Sequence, residues 1–150
     1  MPALRGTNTV ETTDESQLAR RVAVLVDDDQ PFGDMISDLL VDEFGCGVLV
    51  CTNADQAEPM VLAVHADVVL LDLILPGGGR AALRALKLNP ATRLVPVIVC
   101  TVATLVDRER DELLGLGAAA ILAKPFDLVD LLKLLGQFIP VRPGGPPWRA

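Results

Sequence analysis

The chain contains no tyrosine and only one histidine, and its three cysteines, Cys46, Cys51 and Cys100, lack the spacing of metal ligands. An odd number of unspaced cysteines argues against a disulfide framework or a zinc site and reads as buried, reduced thiols in a cytosolic protein. The lone His65 has no sequence partner for catalysis or metal binding and reads as the end of a surface helix. No apolar run approaches the ~20 residues that a membrane-spanning helix needs. The start lacks the charged-then-apolar pattern of a secretory signal. Lys and Arg are outnumbered, the formal net charge is -7, and nonspecific nucleic-acid binding is therefore not expected. Disorder is excluded for the middle of the chain, because 51% of the residues are hydrophobic.

What is present is one domain's worth of chain, 150 residues, built on five short apolar runs. These are Ala23-Val24-Leu25-Val26, Val48-Leu49-Val50-Cys51, Val68-Val69-Leu70-Leu71, Val97-Ile98-Val99-Cys100 and Ala120-Ile121-Leu122-Ala123. Helical patterns lie between them. Phe32, Met35, Ile36, Leu39, Leu40 and Phe44 follow the spacing of a core-facing stripe, with Pro31 in the first turn and Gly45 as a stop. Residues 80–88 and 105–116 read as two further helices, the second ended by Gly117. Leu128, Leu131, Leu132, Leu135 and Phe138 form a last stripe behind the candidate N-cap Asp127. The segment 54–65 is the weakest, because Pro59 demands a short or bent helix. Residues 1–20 read as a flexible arm and residues 140–150 as a Pro/Gly-rich tail; the folded domain is expected at 21–139.

Strands that are apolar throughout and alternate with helices predict an α/β fold, a doubly wound parallel sheet of five strands. Four of the runs end in chemistry: Asp27-Asp28, Asp72, Thr101 and Lys124. The second does not, which is expected if that strand lies at an edge, in the order 2-1-3-4-5. Ligands of such sheets bind beyond the carboxyl ends of the strands, at the switch point between strands 1 and 3. Three carboxylates gathered there must either hold protons or bind a cation, since two charges ~4 Å apart repel by ~4 kcal/mol at an effective dielectric of ~20. Oxygen donors without His or Cys favour Mg²⁺. An aspartate can attack phosphorus to form an acyl phosphate, while a lysine and a hydroxyl hold the phosphoryl oxygens.

The blocks Val26-Asp27-Asp28-Asp29, Leu71-Asp72-Leu73-Ile74-Leu75-Pro76-Gly77, Cys100-Thr101 and Ala123-Lys124-Pro125-Phe126 together resemble the receiver domain of two-component response regulators, over roughly 21–139. The resemblance implies a flavodoxin-like receiver fold with Asp72 as phosphoacceptor. It implies Mg²⁺ held by Asp27, Asp28, Asp72 and the backbone carbonyl of Ile74, Thr101 as switch hydroxyl, and Lys124 on the phosphoryl group. Pro125 is similar to the family's proline after a cis peptide bond. The implied partners are a sensor histidine kinase or phosphotransfer protein and a downstream protein target. Neither direct DNA binding nor membrane association is expected; a cytoplasmic monomer or weak dimer is. No output domain is expected after residue 139, so the type is a stand-alone receiver that promotes its own phosphorylation without being a metabolic enzyme.

The chain departs from the family pattern at three places. Val102 stands where a small residue is usual, and a larger side chain there is expected to narrow access to Asp72. The Gly77-Gly78-Gly79 loop implies a one-residue shortening or a shifted helix start, and high mobility. Ile121 replaces the usual aromatic switch residue. These departures keep a rival open, a degenerate receiver acting as a phosphorylation-independent binding or dimerisation module. A second rival, an aspartyl-phosphate hydrolase of the haloacid dehalogenase type, needs its nucleophile after the first strand, whereas here the candidate follows the third. The charged run Asp107-Arg108-Glu109-Arg110-Asp111-Glu112 reads as a solvated helix face or a partner-docking surface.

Overall fold

The computed structural model describes residues 21–102 and 104–139. The expected arm (1–20) and tail (140–150) lie outside the described residues. Five parallel strands form one sheet in the order β2-β1-β3-β4-β5. They are β1 (Val22–Val26), β2 (Gly47–Cys51), β3 (Val68–Leu71), β4 (Val97–Thr101) and β5 (Ala120–Ala123). The connecting helices are α1 (Gln30–Phe44), α2 (Ala57–Val64), α3 (Gly79–Leu88), α4 (Asp107–Gly115) and α5 (Leu128–Leu135). Among the described residues, no helix is long and apolar enough to cross a membrane.

The central strands are buried on both faces, and their side chains alternate between two cores. Val24, Val26, Val69, Leu71, Val97 and Val99 pack on one side, with Val61, Leu83, Leu86 and Leu113 from α2, α3 and α4. Ala23, Leu25, Val68, Leu70, Ile98 and Cys100 pack on the other, with Ile36, Leu40, Leu131 and Leu135 from α1 and α5. Period-two alternation splits each apolar strand between two layers, so helices must cover both faces. Truncating one of these side chains, such as Leu70→Ala, would cost about 2–5 kcal/mol.

Local chemistry sets the helix ends. The Asp29 side chain accepts the Phe32 N–H and caps α1, and Gly45, at φ 68°, stops it in the left-handed conformation. Asp127 caps α5 by accepting the Val129 N–H. Pro59 sits in the first turn of α2, where it displaces no internal hydrogen bond; a 3₁₀ turn over Ala54–Gln56 precedes it, and the α-helix is eight residues long. His65 ends this helix with φ 52°. The stripes are not buried along their whole length: Met35, in the second turn of α1, and Leu128, the first residue of α5, are exposed.

The glycine loop has a geometric reason. Gly77 and Gly78 have φ of 88° and 85°. A Cβ on Gly77 would lie 2.7 Å from Asn53 Oδ1, and one on Gly79 would collide with the Asp72 carbonyl and the Leu73 backbone. The loop is pinned by hydrogen bonds from Gly78 N–H to Leu75 O and from Gly79 N–H to Leu73 O, so α3 starts at Gly79, one residue earlier than the sequence suggests. The three cysteines are free and buried. Burial pushes the Cys46 thiol up to about 11 and the Cys100 thiol up to about 12.

Candidate functional site

The strand register aligns the residues that carry chemistry. Val26 lies opposite both Cys51 and Leu71, so Asp27 and Asp72, the next residues of β1 and β3, emerge side by side. Thr101 is the last residue of β4 and lies opposite Ala123; its carbonyl accepts the Lys124 N–H at 2.8 Å. Parallel strands of similar length thus place one sheet edge's worth of side chains in a single cleft.

Carboxylate oxygens of Asp27, Asp28 and Asp72 all lie within 4.8 Å of one another. Asp27 and Asp72 are buried, whereas Asp28 is exposed at the mouth. Lys124 Nζ lies 2.6 Å from Asp27 Oδ2 and 3.6 Å from Asp72 Oδ2. Backbone groups orient the acids: Asp27 Oδ1 accepts the Asp29 N–H at 2.9 Å, and Asp72 Oδ1 accepts the Ile74 N–H at 3.0 Å. The Lys124-Pro125 peptide bond is cis, as the resemblance implies. Thr101 is buried at the floor.

Two opposing effects act on the central ion pair. Burial raises the pKa of Asp27 above its ordinary value, and this outweighs the Lys124 hydrogen bond and the Asp29 N–H, which pull it down. Burial by itself would lower Lys124, but the Asp27 hydrogen bond and the nearby carboxylate charges more than offset it and leave the ammonium raised. Both groups therefore hold protons more firmly than in water. One lysine facing three carboxylates leaves the cleft negative. Such a donor set, all hard oxygens with one exposed carboxylate at the entrance, fits a hard divalent cation such as Mg²⁺, which keeps several of its waters.

In the sequence Phe32 reads only as part of the core stripe. In the structure its ring lies 3.8 Å from Lys124 Nζ, in a cation–π contact, and meets Phe126 edge-on at 5.9 Å. Asp29 was likewise read as part of an acidic block, yet it both caps α1 and holds Asp27. The sequence signal for both is position: they flank Pro31, in the turn that leads from β1 into α1. Val102 is 62% exposed and borders a cavity of about 340 Å³ beside Phe32 and Phe126. Ile121 borders another of about 260 Å³ beside Thr101.

Comparison with known proteins agrees with this geometry. The sequence model described as "Response regulator receiver domain" matches residues 23–136. The chain is 32% identical to the protein PilH of Pseudomonas aeruginosa over 119 residues, covering 77% of this chain and 96% of PilH. It is 30% identical to the signal transduction histidine-protein kinase BarA of Shigella flexneri over 129 residues, which is 85% of this chain and 14% of BarA. Among solved structures, the receiver domain of the sensor histidine kinase PA1611 from Pseudomonas aeruginosa superimposes with a TM-score of 0.66 at 27% identity, over 79% of this chain and 96% of that one. That crystal structure holds a magnesium ion coordinated in its active-site cleft. With five parallel strands in flavodoxin-like order and a family match over most of its length, this chain belongs to the receiver domains of response regulators.

Proposed function

We propose that Asp72 accepts a phosphoryl group from a phosphohistidine of a kinase or phosphotransfer protein, with Asp27, Asp28, Asp72 and the Ile74 carbonyl holding Mg²⁺. The observation that carries this reading is the convergence of Lys124, from β5, on two buried carboxylates from β1 and β3. A bound Mg²⁺ would supply positive charge to the phosphoryl oxygens as they shift. The Asp72 carboxylate attacks phosphorus, the phosphorus–nitrogen bond breaks, and the imidazole leaves with the bonding pair. Lys124 offsets charge on one phosphoryl oxygen, and the Thr101 hydroxyl donates to another.

The family signals and does not run metabolism, and its members work with histidine kinases or phosphotransfer proteins. Within that frame, the chain acts in the cytoplasm as a monomer or weak dimer, and its output is binding of a downstream protein rather than DNA. Thr101 and Lys124 lead directly into α4, β5 and α5, and those elements form the output surface. Ile121 cannot make the hydroxyl contacts of a tyrosine, so the shift between states is modest, about 1–2 kcal/mol, which still changes partner affinity roughly five- to thirtyfold. The complete acid, hydroxyl and lysine set favours this reading over a phosphorylation-independent binding module.

Incubation with Mg²⁺ and a small acyl-phosphate donor, followed by intact mass measurement, tests the assignment. One hydroxylamine-labile phosphoryl group is expected on the wild type and none on Asp72→Asn. A label retained by that variant would move the nucleophile elsewhere.

A further inference from the structure

Among the described residues both sheet edges are open strands, but they differ in how they meet solvent. At one edge, β5 runs directly into Lys124-Pro125, a charge and an imide that discourage further pairing. At the other, β2 reads Gly-Val-Leu-Val-Cys, with no charge, proline or bulge along its length. Leu49 is 37% exposed and Val50 is 46% exposed; on the preceding helix Val41 is 46% exposed.

The backbone of β2 shows which groups are committed. Gly47 N–H donates to Arg21 O, and Cys51 O accepts the Asp27 N–H, so residues 47, 49 and 51 turn their polar groups toward β1. In a parallel ladder the alternate residues, Val48 and Val50, turn N–H and C=O outward. That is a two-residue docking template bordered by exposed apolar side chains.

Charge selects the occupant. Beside β2 stands one described basic residue, Arg21, whose carbonyl accepts the Gly47 N–H; from residue 22 to residue 79 the sequence contains no Lys or Arg and carries eleven carboxylates, three of them in the phosphoryl cleft. Three others, Asp34, Asp38 and Asp42, repeat at every fourth position of α1, which leads into β2 through only Gly45 and Cys46. Asp55 follows β2 within four residues. Like charges at this helical spacing repel, and no basic residue in the last turn of α1 offsets them. A second copy of this chain paired on the same edge would bring two such acidic regions together.

We infer that β2 is a strand-addition site for an extended, Lys- or Arg-bearing segment of a partner protein, which pairs with the outward groups of Val48 and Val50. Main-chain bonds hold the segment, the apolar side chains of β2 take its alternate residues, and the acidic surround selects its charge. The site lies at the far side of the sheet from β5 and is separate from the phosphoryl cleft.

A capped heptapeptide alternating lysine with valine is a suitable probe, read by amide exchange and chemical shifts of the full-length protein. It should protect the Val48 and Val50 amides, and raising the salt concentration should weaken it. The same peptide with glutamate in place of lysine should bind at least tenfold more weakly. Val50→Pro removes an outward N–H without breaking the ladder to β1, and should weaken the lysine peptide at least tenfold while phosphorylation of Asp72 is unchanged. Val50→Lys, which gates the edge and keeps the backbone donor, should weaken it as well and guards against a folding defect in the proline variant. Equal binding of both peptides, or unchanged Val48 and Val50 amides, overturns the proposal. Protection of these amides by protein concentration alone would overturn it in favour of a second copy.

Discussion

Residues 22–79 and 80–139 are two halves of one sheet with opposite electrical character. The first half has eleven carboxylates and no Lys or Arg; the second has eight Lys and Arg against six Asp and Glu. Because the strand order is β2-β1-β3-β4-β5, these halves are also separate in space. The second half makes its own ion pairs, such as Arg80 with Glu109 at 3.4 Å, an exposed contact worth little by itself. The first half can form no Lys or Arg pair internally. Its buried acids depend on Lys124, which reaches in from the other half, and on any cation that enters the cleft. The proposed phosphoryl site therefore sits on the seam, where the acidic half would lend the nucleophile and metal ligands and the other half the lysine.

Cutting the seam should have the largest effect. Lys124→Ala is expected to slow phosphorylation by a small donor by at least about tenfold, since it removes the charge aimed at the phosphoryl oxygens. Rates within a factor of two would mean that the acidic half reacts unaided. Next comes the metal. Asp28→Ala should weaken Mg²⁺ binding by on the order of tenfold, because both a ligand and part of the local negative field are lost. A titration showing unchanged affinity would remove Asp28 from the ligand set.

A smaller effect concerns stability. Asp27 has a folded-state pKa raised by burial. Its stabilising contribution is full below its unfolded value, in the protonated form, and is lost as pH rises through the folded value. At neutral pH without metal, the ionised carboxylate thus costs stability. Asp27→Asn removes the buried charge, although its single oxygen can accept from only one of Lys124 and the Asp29 N–H, and should raise the melting temperature in chelator at pH 7 by about 2–4 °C. The gain should shrink as pH falls toward 4. A variant that melts lower at pH 7 would show that the ion pair outweighs burial. Smallest is Val102→Ala. The side chain is largely exposed, so relieving its bulk should speed phosphorylation by no more than roughly fivefold, about 1 kcal/mol. Equal rates would show that Val102 leaves access to Asp72 open.

The sequence by itself determined the elements and the chemistry. Apolar runs of four residues read as strands, and four of the five ran into a residue legible as a candidate nucleophile, metal ligand, hydroxyl or lysine; only the structure showed that the second run, at the sheet edge, leaves Leu49 and Val50 exposed. The cap residues Asp127, Gly45 and Pro31 were equally plain, because capping depends on neighbours within one turn. The structure decided what depends on residues distant in the chain. Phe32 read as core, and only the arrival of Lys124, ninety-two residues later, made it a cation–π partner. The glycines after Pro76 read as a mobile loop, and only the nearness of Asn53 and of the Asp72 backbone showed why side chains are excluded there. Which partner wins on Asp27, burial or Lys124, could not be read from composition. Desolvation and Coulomb attraction depend on atomic distances and on the surrounding medium, and a sequence specifies neither until its strands have been brought side by side.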